Sequence, residues 1–216
     1  MRLVRDPVSG FTHLGAAIAA VIGATVLVTL AAVYHKWWHL AAFIVYGISL
    51  ILLYIASTLY HLLPVSEHAR RVLRQLDHVA IFLLIAGTYT PLCLVPLRGP
   101  WGWSLFGAVW ALALAGMFVA IFAIDAPRWL SVGLYLGLSW LVIVAIWPLL
   151  HRLPPSGLFW FGVGGVFYTI GAVIYAVKKP DPVPGVFGFH EIFHLFVMAG
   201  SAAHFWAIAH SVLPLP

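Results

Sequence analysis

The sequence His190-Glu191-Ile192-Phe193-His194 opens the last apolar segment of the chain, which runs to about residue 212. Residues four apart in a helix lie on one face, so both imidazoles can reach a single metal ion. The pentapeptide also matches the His-Glu-x-x-His pattern, in which two histidines bind zinc and the glutamate is a general base. The alternative is an ordinary helix end at a membrane surface. The rest of the chain has to decide between the two.

The composition indicates a membrane protein. Of 216 residues, 63% are hydrophobic and 8% are charged, whereas soluble domains carry about a quarter charged residues. Apolar segments of roughly 20 residues, long enough to cross a bilayer, recur along the whole chain. The single cysteine, Cys93, excludes an internal disulfide and a cysteine-based zinc cluster. We therefore expect an integral multi-pass protein of the plasma (bacterial inner) membrane, whose first apolar segment is a retained helix.

Seven candidate spans form a single predicted domain over residues 1–216. Breaks rich in proline, glycine and charge separate them. The fold class is therefore an all-α membrane protein, a bundle of seven transmembrane helices. The predicted spans cover about residues 14–34, 39–63, 76–97, 102–124, 129–150, 157–177 and 188–212.

Basic residues in the loops predict the orientation. One set of alternate loops, beginning with the N-terminus, contains Arg2, Arg5, Arg70, Arg71, Arg74, Arg128, Lys178 and Lys179. The opposite set contains Lys36, Arg98 and Arg152. Lys and Arg are enriched in cytoplasmic loops. The N-terminus is therefore expected in the cytoplasm and the C-terminus outside.

This topology brings polar residues from three spans to one depth. Ser57 and His61, four apart, lie near the cytoplasmic end of the second span. Asp77 lies at the same end of the third span, after a helical lead-in, and His190 and His194 begin the seventh. Ionisable residues inside spans are costly and usually pair with one another or bind something. The five residues are therefore the predicted site.

Three imidazoles with an open fourth position are typical of a catalytic zinc. His61, His190 and His194 are the candidate ligands. Asp77 could hold a water at the ion and accept its proton, and Ser57 could orient a ligand or donate to a developing oxyanion. Each of these two residues also has an alternative without a catalytic role. Asp77 could pair with Arg74 at the helix start, and Ser57 could be a small residue that eases helix packing.

Asp77 is the one candidate for a fourth protein ligand, so its position decides between a closed and an open site. We predict that a water separates Asp77 from the ion, and that a cavity opens towards the cytoplasm or the inner leaflet. His204, on nearly the same face as His190 but far along the helix axis, is expected to make an interhelical hydrogen bond instead.

Local segments carry a resemblance to a known family. They are Ser57-Thr58-Leu59-Tyr60-His61, Ala86-Gly87-Thr88-Tyr89-Thr90-Pro91 and His190-Glu191-Ile192-Phe193-His194-Leu195-Phe196. In this order they resemble the hemolysin III family, within the progestin and adiponectin receptor superfamily and remotely like the alkaline ceramidases. The resemblance covers essentially the whole chain. It implies a zinc bound by His61, His190 and His194, with Ser57 and Asp77 as the serine and the water-positioning acid.

Three functions remain in competition. We favour a zinc-dependent hydrolase that cuts an amide or ester bond in a lipid. The second is a non-enzymatic receptor, regulator or pore-forming protein with a structural zinc. The third is an intramembrane protease that uses His190, Glu191 and His194. The expected partner is a membrane lipid or acyl-chain ligand, with no nucleic acid, and a homo-oligomer is left open.

Overall fold

The computed structural model describes residues 4–216, so Arg2, which entered the charge count, lies outside the described chain. Between Val4 and Pro216, seven helical spans are long and apolar enough to cross a membrane, as predicted. The helices are α1 (Pro7–Val33), α2 (Trp37–Leu62), α3 (Glu67–Leu94), α4 (Pro100–Phe122), α5 (Arg128–Ser139), α6 (Ile146–Arg152), α7 (Pro155–Val177) and α8 (Phe189–Ala207). α5 and α6 together form the fifth span, and α8 continues through a π-helical turn.

Short connections make successive helices pack as neighbours. α1 packs on α2, α2 on α3, α3 on α4 and α7 on α8, and α1 also contacts α8. Small residues permit the close approach, since a Cβ on Gly47 of α2 would lie 2.6 Å from Ala24 of α1. The start of α1, the end of α2 and the starts of α3 and α8 all lie at one end of the bundle, which we call the site end.

Two helices begin earlier than the predicted spans. α1 begins at Pro7, not near residue 14, whereas α3 begins at Glu67 because it includes the predicted helical lead-in to the span at residue 76. Proline suits the first helical turn because its missing N–H needs no partner there. The polar residues Ser9 and His13 broke the apolar pattern of α1, but both are buried in the bundle. The lead-in to α3 is helical as expected, and Ser66 Oγ accepts a hydrogen bond from Ala69 N at 3.4 Å.

The fifth span is interrupted by a 3₁₀ stretch, Trp140–Ala145, that we did not predict. The Tyr89 hydroxyl lies 3.0 Å from the carbonyl oxygen of Leu138 and 2.7 Å from that of Ser139. It also accepts a hydrogen bond from the Val142 amide at 2.7 Å. A side chain inserted into the hydrogen-bond ladder is a recognised cause of a helix break. Pro148, which has no N–H to donate, adds to the disruption.

Candidate metal centre

Three histidines meet at the site end of the bundle. His61 lies in the last turn of α2, and His190 and His194 lie in the first two turns of α8. One nitrogen of each ring lies within 4.8 Å of the others, and the Nε2 atoms of His61 and His190 are 3.2 Å apart. His61 and His194 are each only 2% exposed. The spacing and topology of the sequence predicted this meeting.

The donor set fits a metal ion such as zinc. A tetrahedral zinc with bonds of about 2.0–2.1 Å separates two ligand nitrogens by about 3.3 Å, and His61 and His190 already match that separation. The Nδ1 atom of His194 is buried without a hydrogen-bond partner among the described residues. The cluster could therefore hold a metal, while the identity of the ion and the ligand roles stay predictions.

Asp6, which is not among the predicted site residues, contacts the cluster directly. Its Oδ2 atom lies 3.2 Å from Nδ1 of His61, and its backbone N–H donates to the His61 carbonyl oxygen at 3.0 Å. The hydrogen bond from His61 holds the pKa of the Asp6 carboxyl below its ordinary value, and the nearby Arg5 acts in the same direction. Asp6 precedes the apolar part of α1, so hydropathy gave no signal for its role.

Ser57 and Asp77 lie beside the histidines. Ser57 is 1% exposed, and its hydroxyl neighbours the Asp77 carboxylate, which also interacts with His61. Arg74 pairs with Asp125 instead of Asp77, so among the described residues the predicted alternative of a helix-start ion pair is not found. Asp77 is not one of the mutually close ligand atoms. The water between Asp77 and an ion stays a prediction.

Glu191 is occupied by two hydrogen bonds. Oε1 accepts from the Ser9 hydroxyl at 2.9 Å, and Oε2 accepts from the Gly188 backbone N–H at 2.8 Å. Gly188 is the N-cap of α8, so the second bond caps the helix. A general base needs a carboxylate oxygen that can take a proton from water. The two bonds tie Glu191 to α1 and to the start of α8.

A polar cavity of about 800 Å³ opens at the site end next to His61 and His190. Its walls carry both signs of charge, and Arg128 is held by cation–π contact with Tyr175, at 4.4 Å from the ring centroid. A cavity thus opens at the site end, while its predicted facing towards the cytoplasm or the inner leaflet stays a prediction. The basic residues on the wall are Arg70, Arg71, Arg74 and Arg128, and the acidic ones are Asp6, Glu67, Asp125 and Glu191.

An apolar cavity begins one helical turn deeper in the bundle. Leu53, Ile81 and Val197 line it, one turn beyond Ser57, Asp77 and His194 respectively. A second apolar cavity, between the middle of α3, the fifth span and α7, has four lining residues in common with the first. These are Thr88, Tyr89, Ser139 and His204. The two cavities together extend from one turn beyond the site residues into the half of the bundle that lies away from the site end.

His204 makes the predicted contact between helices. Its Nε2 atom lies 3.1 Å from the carbonyl oxygen of Phe161 in α7, an interhelical hydrogen bond. It is not part of the three-histidine group.

Comparison with known proteins agrees with this architecture. Residues 1–205 match a family model described as "Haemolysin-III related". The chain is 39% identical over 206 residues to Hemolysin-3 of Bacillus cereus, covering 95% of this chain and 91% of that protein. It is 36% identical over 208 residues to the Hemolysin-3 homolog of Bacillus subtilis (strain 168), covering 96% and 94%.

A more distant relative is the human Monocyte to macrophage differentiation factor, 26% identical over 202 residues, which cover 92% of this chain and 80% of the human protein. This relative supports membership in the progestin and adiponectin receptor superfamily. Together with seven apolar helices, these relatives identify an integral multi-pass membrane protein.

Proposed function

Because the chain belongs to the haemolysin-III-related family, whose bundle here carries three clustered histidines, we propose that it is a zinc-dependent lipid hydrolase. The enzyme cuts an amide or ester bond of a membrane lipid. His61, His190 and His194 hold the ion at the end of the bundle that we expect to face the cytoplasm.

One observation carries the proposal: His61 and His190 line a polar cavity, and an apolar cavity begins one helical turn further into the bundle. A membrane lipid has the same two-part character, with a polar headgroup joined to an acyl chain by an amide or ester bond. With the chain in the apolar cavity and the headgroup in the polar cavity, that bond lies beside the histidines. A purely structural metal needs neither cavity.

The residues around the cluster suit hydrolysis. Bound zinc would supply a Lewis acid and bring the pKa of a coordinated water to about 7. Asp77 accepts the proton of the attacking water, because its carboxylate lies next to His61 without being one of the close ligand atoms. Ser57 orients that carboxylate through its hydroxyl.

The protease alternative is weaker, because both Glu191 oxygens already accept hydrogen bonds. A non-enzymatic protein with a structural metal remains the second candidate. The name Hemolysin-3 of the Bacillus cereus relative points to a membrane-lytic protein, and the contacts of α1 with the cluster suit a metal that ties helices together.

A turnover assay separates the two candidates. Purified protein in lipid nanodiscs, zinc-loaded or stripped by a chelator, is incubated with ceramides and with acyl esters. Free fatty acid is then measured by mass spectrometry. We expect release that depends on zinc and is lost in His61→Ala. Zinc binding without release from any of these lipids would overturn the hydrolase and favour the structural metal.

A further inference from the structure

We propose that the first two turns of α1 position the metal ligands, with Asp6 setting the ring of His61. The proposal rests on metal binding by the three histidines, as proposed above, but not on hydrolysis. Asp6 is the N-cap of α1, and Ser9 and His13 follow it at spacings of three and four residues, so the three lie on one side of the start of the helix. That face contacts both helices that carry the ligands.

Asp6 selects the tautomer of His61. An ionised carboxylate can only accept hydrogen bonds, so His61 Nδ1 must be the donor in the 3.2 Å contact. The neutral ring then keeps its lone pair on Nε2, the atom that faces His190. Metal-bound histidines commonly donate their other N–H to a carboxylate, which fixes the ring and raises its basicity.

The Asp6 side chain serves His61 instead of its own helix. Asp6 is the N-cap of α1, where an aspartate ordinarily accepts a hydrogen bond from a backbone N–H of the first turn. Here the side chain makes no capping hydrogen bond. Its backbone N–H also donates to the His61 carbonyl oxygen, so Asp6 holds the last turn of α2 at two points. The start of α1 therefore lacks the stabilisation of a capping side chain, because the Asp6 carboxylate contacts His61 instead.

Two further contacts hold the start of α8. The Ser9 hydroxyl donates to Glu191, the residue that follows His190, and Glu191 in turn caps α8 through Gly188. The His13 ring stacks on His194 with centroids 3.8 Å apart and planes 13° from parallel. Ser9 and His13 are 0% and 3% exposed. α1 therefore contacts the ring of His61, the ring of His194 and the turn that carries His190.

The test is the affinity of the purified protein for zinc, measured by competition with a chromophoric chelator. We expect Asp6→Ala to weaken zinc binding about 10- to 100-fold, as loss of a ligand's hydrogen-bond partner typically does. Asp6→Glu should recover part of the loss, and Ser9→Ala should weaken binding at the lower end of that range. Asp125→Ala is the matched control, because Asp125 lines the same cavity but pairs with Arg71 and Arg74.

A second measurement distinguishes positioning from general destabilisation. The thermal midpoint of each variant is recorded with and without zinc. A positioning role reduces the rise that zinc produces, whereas a purely structural role lowers both midpoints equally. Equal zinc affinity in wild type, Asp6→Ala and Ser9→Ala would overturn this inference alone. A wild-type protein that binds no zinc would overturn the proposed metal centre as well.

Discussion

Arg74 Nη1 lies 3.3 Å from Asp125 Oδ1, although Asp77 stands only one turn from Arg74 on the same helix. Arg71 contacts the same carboxylate at 2.7 Å. Asp125 therefore holds both cations at the mouth of the polar cavity. Neither arginine pairs with Asp77, which suits the proton-accepting role proposed above.

The first prediction separates the two acidic residues of the site. Asp77→Asn should lower turnover about 10²- to 10⁴-fold, the usual contribution of a general base, and should leave zinc bound. Glu191→Gln should have the milder effect, because Glu191 caps α8. Both variants are compared by fatty-acid release and by zinc content, with Asp125→Asn as the control. The opposite order of severity would favour the protease mechanism.

The second prediction concerns metal content. Protein purified without added chelator should contain about one zinc ion per chain, because three imidazoles form one site. His61→Ala, His190→Ala and His194→Ala should each deplete it, as measured by elemental analysis. His204→Ala is the control, since His204 lies outside the cluster and bonds Phe161. A folded wild-type protein without metal would remove the basis of the hydrolase.

The third prediction tests the apolar cavity as the acyl-chain site. Ile81→Phe places a larger side chain in this cavity one turn from Asp77. It should shift substrate preference towards shorter acyl chains and leave zinc affinity unchanged. The measurement is turnover across a series of acyl-chain lengths. Val72→Phe is the control, on the same helix at a position that is 41% exposed. An unaltered chain-length profile would place the acyl chain elsewhere.

The fourth prediction concerns packing between the start of α4 and the turn that precedes it. A Cβ on Gly102 would lie 2.6 Å from the carbonyl oxygen of Leu97, and backbone atoms cannot easily move. Gly102→Ala should therefore destabilise the protein by about 1–3 kcal/mol. Among residues 4–216, no atom outside its own helix lies within 4 Å of a Cβ placed on Gly107 of the same helix, so Gly107→Ala should be neutral or stabilise by up to about 1 kcal/mol. Unfolding of both variants in detergent checks the contrast.

The sequence predicted the bundle and the meeting of three histidines for a simple reason. Long apolar segments restrict the chain to a few crossings, and alternate crossings bring Ser57, His61, Asp77, His190 and His194 to one depth. This prediction needs only the lengths and the order of the apolar segments, and no knowledge of side-chain contacts. The orientation of the bundle across the membrane is still an expectation from the loop charges.

The role of Asp6 could not be predicted in the same way. Its contact with His61 depends on α1 packing against α2 at a particular rotation, which hydropathy does not specify. Asp before Pro is an ordinary helix start, so the local pattern gives no sign of a contact with His61. The break in the fifth span could not be predicted either, because it depends on a contact with Tyr89 of another helix, α3.

That tyrosine has a consequence for the biogenesis of the protein. The Tyr89 hydroxyl forms hydrogen bonds with the carbonyl groups of Leu138 and Ser139 and with the amide of Val142. Such partners matter in hydrocarbon, because polar backbone groups there have no water to bond to. Because Tyr89 belongs to α3, the break in the fifth span gains these side-chain hydrogen bonds only when α3 is already beside it. Synthesis from the N-terminus delivers α3 first, so the order of insertion matches the order in which the helices depend on one another.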